Sequence, residues 1–453
     1  MDSQEFGELP DAIRTDPHPG FVRWTLHSLY DLIWLVAAVI GLPWLVFRSY
    51  VRPGFGAMVV GRLGRGLKSQ GKSSTKKRVV IHGVSVGEVK GATSIVRELE
   101  RTRPDLEVVI STSTETGFAI ATDLFPDYEI VRFPIDLSFV CARFFRHVMP
   151  ATVILIELEI WPNFLREANK LGIPVAVVNG RITKQSHKSY RIFKGLLPQF
   201  NRISLFCSQG PEYTERFLSL FVLPGRVMET GNIKADGLKI GPVDPGEELT
   251  RLLGNHERDA LTFVAGSTHP PEEKYVAEAW LAGLPEARLI IVPRHPKRLA
   301  EILKNLAEVG IEPQLLSDLR AGETPDATRP AIVDTIGELE RVFGLADIAF
   351  VGGSLIPHGG QNMLEPAAQG RPVLTGPNLE NFTQEARILT RAQAVRIVAD
   401  TAELTAALAE LGADAELRAR MGAAGMEATR SQQGAASLTL RALQVSCLPP
   451  VLA

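Results

Sequence analysis

FVGGSLIPHGGQNMLEPAAQGRPVLTGP, residues 350–377, is the stretch on which the fold turns. An apolar run at 348–351 ends on Gly352-Gly353-Ser354. The turn His358-Gly359-Gly360-Gln361-Asn362 then opens a helix expected over 363–369, and a second apolar run follows at 372–374. Strand, glycine turn, helix and strand in that order make a βαβ unit of a parallel sheet. Glycine leaves room for a ligand at the backbone, and a helix N-terminus offers N–H groups to an anion. Glu365 falls in the first helical turn, placed to accept from ribose hydroxyls. Upstream, the run at 331–333 leads into Thr335-Ile336-Gly337-Glu338, which reads as a capped helix start. Three glycine-bearing turns in succession are poorly explained by folding alone and point to a nucleotide-sugar site.

The same alternation extends in both directions. Short apolar runs at 79–82, 107–110, 152–156, 175–178 and 203–207 read as buried strands, with amphipathic helices at 89–101 and 161–171. A Pro- and Gly-rich passage at 237–254 reads as a linker. Strands then resume at 261–265, 288–292, 331–333, 348–351 and 372–374, and an Ala-, Leu-, Glu- and Arg-rich segment at 401–443 reads as helices. Two doubly wound α/β domains are expected, with a cleft between them and the loops at the strand C-termini facing it.

The 453 residues fit two or three domains, and the 45% hydrophobic content excludes a mainly disordered chain. A formal net charge of −2 argues against a nucleic-acid partner. Cys141, Cys207 and Cys447 stand far apart, which supports neither a zinc site nor a disulfide framework. No histidine spacing points to a metal. The segment GLKSQGKS at 66–73 matches a P-loop pattern, but a strand-like run rather than a helix start follows it, so it is read as a decoy.

The neutral average conceals an uneven start. LIWLVAAVIGLPWLVF, residues 32–47, carries no charge, and Tyr30, Trp34, Trp44 and Tyr50 punctuate or flank it as interfacial aromatics would. With its flanks it approaches the ~20 residues of a membrane-spanning helix; the alternatives are a signal peptide, which the late start, the preceding acids and Arg48 fit poorly, and a buried core helix. Acids dominate before it. After it, Arg48, Arg52, Arg62, Arg65, Lys68, Lys72, Lys76, Lys77 and Arg78 follow with no acid before Glu88. The positive-inside rule then places the main body in the cytoplasm, with the basic stretch against anionic headgroups or as a solvated linker.

In the first half, the strand at 79–82 runs into Gly83-Val84-Ser85-Val86-Gly87-Glu88, where Glu88 is either a capping carboxylate or one aimed into the cleft. Glu157 and Glu159 alternate at the end of the strand at 152–156, so they point to opposite faces. Arg181 follows the next strand as a phosphate clamp or a surface arginine. In the second half, Gly266-Ser267-Thr268-His269 and Pro293-Arg294-His295-Pro296 end successive strands, as small and cationic loops near a nucleotide would.

Together HGVSVGE (82–88), ELEIWPN (157–163), NGRIT (179–183), GNIKAD (231–236), GSTH (266–269), PRHPKR (293–298) and the opening stretch resemble the Kdo (3-deoxy-D-manno-octulosonic acid) transferases of lipopolysaccharide assembly, in family order over roughly residues 50–435. The resemblance implies the glycosyltransferase B fold, built of two Rossmann-like domains. It divides the chain into a leader (1–28), a membrane-anchor helix (29–50), an acceptor-binding domain (51–240), a nucleotide-sugar-binding domain (241–435) and a tail (436–453). It further implies an inverting, metal-independent transfer of Kdo from CMP-Kdo, a substrate rather than a cofactor, to a lipid A precursor. The enzyme would sit at the inner membrane with its domains on the cytoplasmic face. Donor contacts fall on Ser267, Arg294, His295, Gly337, Glu338, Gly352, Gly353, Asn362 and Glu365, and acceptor contacts on Ser85, Gly87 and Arg181. The family's catalytic glutamate, expected shortly before the first strand, is matched here by Arg65, which cannot take a proton. Glu88 is the first substitute base, with Glu157 and Glu159 next. That departure leaves open a transferase for another activated sugar, or a membrane-bound nucleotide-sugar binding protein without turnover.

Overall fold

The computed structural model describes residues 20–52, 54–67, 76–193, 199–220, 222–254 and 260–450. Most of the P-loop look-alike at 66–73 lies outside them. The chain forms two compact units, Met1–Gly237 with Gln433–Ala453, and Leu238–Gln432.

The first unit is built on seven strands: β1 (Lys77–His82), β2 (Leu106–Thr112), β3 (Glu129–Arg132), β4 (Pro150–Ile156), β5 (Val175–Gly180), β6 (Leu205–Ser208) and β7 (Val227–Glu229). All pairs are parallel, in the order β3-β2-β1-β4-β5-β6-β7. The second unit repeats the plan with β8 (Thr262–Thr268), β9 (Arg288–Pro293), β10 (Gln314–Leu315), β11 (Ala331–Ile332), β12 (Ile348–Val351), β13 (Val373–Thr375) and β14 (Val395–Ile397), ordered β10-β11-β9-β8-β12-β13-β14. These pairs too are parallel.

Each sheet is apolar on both faces because helices cover both. Val79 and Ile81 of β1 join one core cluster and Val80 the opposite one; in β8, Val264 faces one cluster and Phe263 and Ala265 the other. Winding reverses between β1 and β4, and again between β8 and β12. The crevice outside the strand C-termini at such a reversal is where open α/β sheets bind ligands.

Several sequence expectations change. The passage at 237–254 is not all linker, since Gly246–Leu253 is a helix whose Leu249, Leu252 and Leu253 are buried. The helix expected from 89 begins at Val86, capped by Ser85. The helix expected over 363–369 is the five-residue Leu364–Ala368. Helix Leu339–Phe343 has Glu338 at its N-cap but no side-chain capping bond, because two arginines hold that carboxylate instead. Strands β3, β7, β10 and β14 were not anticipated.

The segment 436–453, read from sequence as a tail, returns to the first unit. Helix Ala435–Ser446 buries Leu440 and Leu443 in the cluster that holds Val79 and Ile81. Thr152 Oγ1 donates to the Cys447 carbonyl at 2.6 Å, and Asp236 accepts from the Gly434 N–H at 2.6 Å and from the Ala436 N–H. Asp236 thereby satisfies orphan donors at the start of that helix.

Candidate active site

In the first unit the loop after β1 folds as a capping box. Ser85 Oγ accepts from the Glu88 N–H at 3.3 Å, and Glu88 accepts from Ser85 Oγ at 2.7 Å and from the Val84 N–H at 2.8 Å. Both Glu88 oxygens are therefore engaged in fixing the loop. Burial raises the Glu88 pKa against those hydrogen bonds. Gly87 is exposed beside it.

At the end of β4, Glu157 takes φ +62°, an uncommon left-handed conformation for a non-glycine residue. Its carboxylate pairs with Lys234 Nζ at 2.6 Å. Glu159 lies two residues on, half-buried, with Oε2 accepting from the Trp161 indole N–H at 2.7 Å. Burial pushes the Glu159 pKa up to about 7, and the Glu88 and Glu157 charges raise it further, while the indole bond and the Arg62 charge oppose the rise. A carboxyl that titrates near neutrality can exchange a proton during turnover. The three glutamates that the sequence singled out thus act on one another at the β1–β4 reversal, each with a different partner: Glu88 the capping box, Glu157 Lys234 and Glu159 the Trp161 indole.

Arg62 is a second cation near this group, besides Lys234. Its Nε donates to the Phe133 carbonyl at 3.2 Å, and it feels Glu159. Arg65, which the sequence reading sets against the family's glutamate, is exposed, beyond the turn at Gly64 (φ +82°). Behind the cluster, His82 stacks on Phe133 with ring centroids 3.8 Å apart, and its Nδ1 lies 3.1 Å from the Ser111 carbonyl. Full burial lowers the His82 pKa to about 3, so it stays neutral and structural. Arg181 sits half-buried at the end of β5, beyond Asn179 (φ +55°), whose Oδ1 accepts from the Ile233 N–H at 3.1 Å.

In the second unit the β8–β12 reversal gathers most of the residues expected from sequence on the donor side. A Cβ on Gly352 would stand 2.7 Å from Thr268 Cα and 2.8 Å from the Ser267 carbonyl oxygen, so only glycine lets the two loops meet. Gly353 (φ +66°) and Ser267 (φ +56°) complete the turn. The His269 and His358 rings lie 3.9 Å apart, and His295 meets His269 edge-on at 5.6 Å. Gln361 Nε2 and His269 Nε2 stand 3.1 Å apart. Burial lowers the His269 pKa to about 4, and the nearby His358, His295, Arg298 and Arg294 push the same way. Burial first, then Arg294 and Arg298, lower that of His295. Both rings are thus held neutral, and Arg294 and Arg298 supply the positive potential suited to a phosphate, with the imidazoles as hydrogen-bonding partners. Asn362 Nδ2 donates to Glu365 Oε1 at 3.1 Å, which fixes the carboxylate. Gly337 (φ +96°) and Glu338 stand at the end of β11, and Glu338 is held by Arg320 (2.8 Å) and Arg341 (3.3 Å).

Sequence reasoning missed Glu272, which no accessible surface reaches. Its two oxygens accept from the backbone N–H groups of His269 (2.9 Å), Gly353 (2.6 Å), Ser354 (2.8 Å) and Leu355 (2.9 Å), tying the β8 and β12 loops together. An acidic pair, Glu272-Glu273, directly after the small-residue loop was the available signal. Arg62, Lys234 and His358 were also given no role. Among the described residues no group of three or more His, Cys, Asp or Glu side chains is arranged to hold a metal ion.

Comparison with known proteins accounts for this arrangement. Residues 59–237 match a family model described as 3-deoxy-D-manno-octulosonic-acid transferase. The chain is 34% identical over 371 residues to the 3-deoxy-D-manno-octulosonic acid transferase of Haemophilus influenzae, spanning 79% of this chain and 84% of that one. The chain belongs to the Kdo transferase family. The Chlamydophila psittaci transferase is 30% identical over 368 residues, covering 79% of this chain and 83% of its own. A solved glycosyltransferase from Rickettsia africae superposes with a TM-score of 0.58 at 11% identity, over 82% of this chain and 98% of that one. The two seven-stranded parallel units are those of the glycosyltransferase B fold, and this Kdo transferase family member is a glycosyltransferase.

Proposed function

We propose that the protein moves Kdo from CMP-Kdo to a lipid A precursor at a membrane surface, with inversion and without a metal ion or other cofactor. The observation that carries the donor half is the pair of arginines, Arg294 and Arg298, beside the uncharged rings of His269 and His295 at a glycine-cleared floor. A nucleotide phosphate placed there would be stabilised as negative charge builds on it. In this reading Arg294, Gly337, Asn362 and Glu365 contact CMP, Gly352 and Gly353 line the site, and Ser267, His295 and Glu338 complete the donor side. Ser85, Gly87 and Arg181 belong to the acceptor side.

In the transfer step, the acceptor hydroxyl gives its proton to a carboxylate as its oxygen bonds to the anomeric carbon. The anomeric carbon–phosphate oxygen bond breaks with its electron pair, and CMP leaves. Glu159 takes the proton in this scheme. Glu88, the first substitute from sequence, spends both oxygens on its capping box, and Glu157 is paired with Lys234. Glu159 has one indole bond and titrates near neutrality.

Incubating the purified protein with CMP-Kdo and a lipid A precursor tests the reading. Glycolipid and free CMP are expected; neither product beside a working control enzyme rejects it. Preference for a UDP- or GDP-sugar rejects the donor. Arg65 in place of the family's glutamate supports a second reading, a nucleotide-sugar binder without turnover, which CMP binding with no product would establish.

A further inference from the structure

The long helix Gly20–Val51 has an apolar middle that is left unburied among the described residues. Val39 is 72% exposed and Ile40 75%, and the stretch Trp24–Val51 is long and apolar enough to cross a membrane. Crossing would carry its two ends to opposite sides of a hydrocarbon core about 30 Å thick.

Both ends are instead fastened to the same unit. Near the start, His27 is buried and accepts from Arg202 Nη2 at 3.2 Å. Tyr30 OH donates to Asp136 Oδ2 at 3.0 Å. Asp31 Oδ1 accepts from Asn163 Nδ2 at 2.7 Å and from the Ser138 N–H at 3.1 Å. Asp136 and Asn163 are themselves part of the buried frame of that unit, with Asp136 accepting from the Asn163 and Phe164 N–H groups.

Past the other end, the chain folds straight back. Trp44 meets Phe55 edge-on at 5.9 Å, and the Arg48 guanidinium lies 4.7 Å from the Trp44 ring centroid. A Cβ on Gly54 would stand 3.4 Å from Glu115 Oε2, and Glu115 pairs with Arg132 at 2.9 Å. The short helix Phe55–Arg62 closes on the body through Arg62 Nε to the Phe133 carbonyl and the Ile135 N–H to the Arg62 carbonyl at 3.0 Å. Residues 31 and 54 therefore touch one folded body, although the helix between them runs about 30 Å at about 1.5 Å per residue.

We propose that this helix does not span the bilayer but lies along one face of it, its apolar middle sunk among the acyl chains and both ends held at the interface by the first unit. The inference rests on the membrane association proposed above and changes the topology drawn from the positive-inside rule. The occupant of the exposed surface is a leaflet rich in anionic lipid. Arg48, Arg52 and exposed Arg65 follow the apolar run. Phe139, 61% exposed, adjoins the Ser138 N–H that binds Asp31, so the apolar face continues onto the body. Arg62 ends the docking segment and stands beside Glu159, so the carboxylate cluster lies where a lipid-borne hydroxyl arrives without leaving the membrane.

Single-cysteine labelling of the full chain in bacterial cells tests this, with native Cys141, Cys207 and Cys447 all buried. Ser3→Cys and Ser74→Cys report the two sides of the helix. With a membrane-impermeant maleimide, neither is expected to react in intact spheroplasts and both are expected to react in inverted membrane vesicles. Reaction of Ser3→Cys in spheroplasts while Ser74→Cys stays protected means a spanning helix and overturns the proposal. Flotation of the membranes separates the two readings: recovery of the protein in the soluble fraction overturns the membrane association itself, and this inference with it.

Discussion

Glu159 is the residue that the proposed chemistry puts to the test. Its carboxyl titrates at about 7 in the fold, chiefly because of burial, against roughly 4.3 in an unfolded chain. The fold favours the protonated form, so the stability this group contributes is complete below about pH 4.3 and is lost as pH rises through 7. Above 7 the charged form costs stability and is the form that accepts a proton. Glu159→Gln should therefore lower kcat by about 10²–10⁴-fold. Its Tm at pH 8 should equal or exceed that of the parent. The parent's kcat should climb with pH through about 7. A Glu159→Gln enzyme with full activity, or a Glu88→Gln enzyme with as large a kcat loss as Glu159→Gln, would return the role to Glu88. Gly352→Ala is a purely steric counterpart. Its Cβ meets backbone atoms at 2.7 and 2.8 Å, and a loss of about 1–3 kcal/mol in denaturant melts is expected.

At the scale of elements, legibility followed burial. The ten strands anticipated from sequence are the interior strands of the two sheets, and the four missed ones, β3, β7, β10 and β14, are the four edges. An interior parallel strand is covered on both faces and reads as a continuous apolar run, as in Thr152–Ile156. An edge strand such as EIVR or VRI is short and half-wet, so its composition resembles a loop. The glycine turns were legible because strand ends recur before them. The role of Glu272 was not, because its four N–H donors come from two loops some 80 residues apart in sequence. Asp236 acts over an even longer separation, at the start of helix Ala435–Ser446. Asp236→Ala should remove about 1–2 kcal/mol from the first unit, seen as a lower midpoint for that unit in chemical denaturation, with the second unit's midpoint unchanged.

For the whole molecule, the chain path makes an asymmetric prediction. The second unit is continuous from Leu238 to Gln432 and holds its own core, whereas the first needs the segment from Gln433 onward. A fragment of residues 238–432 should fold alone, with a cooperative melt and CMP affinity close to that of the full chain. A chain stopped at 432 should leave the Val79–Ile81 cluster uncovered and lose the first unit's transition. The sequence by itself determined the two wound α/β halves, the family and the position of the glycine and carboxylate motifs, because each is carried by neighbours along the chain and by local periodicity. Only the tertiary structure decided how the three carboxylates are partnered, that Arg62 rather than Arg65 acts on Glu159, that the C-terminal helix belongs to the first unit, and that both ends of the apolar helix meet one body. Each depends on side chains brought together across long separations, where burial and hydrogen-bond competition assign the partners.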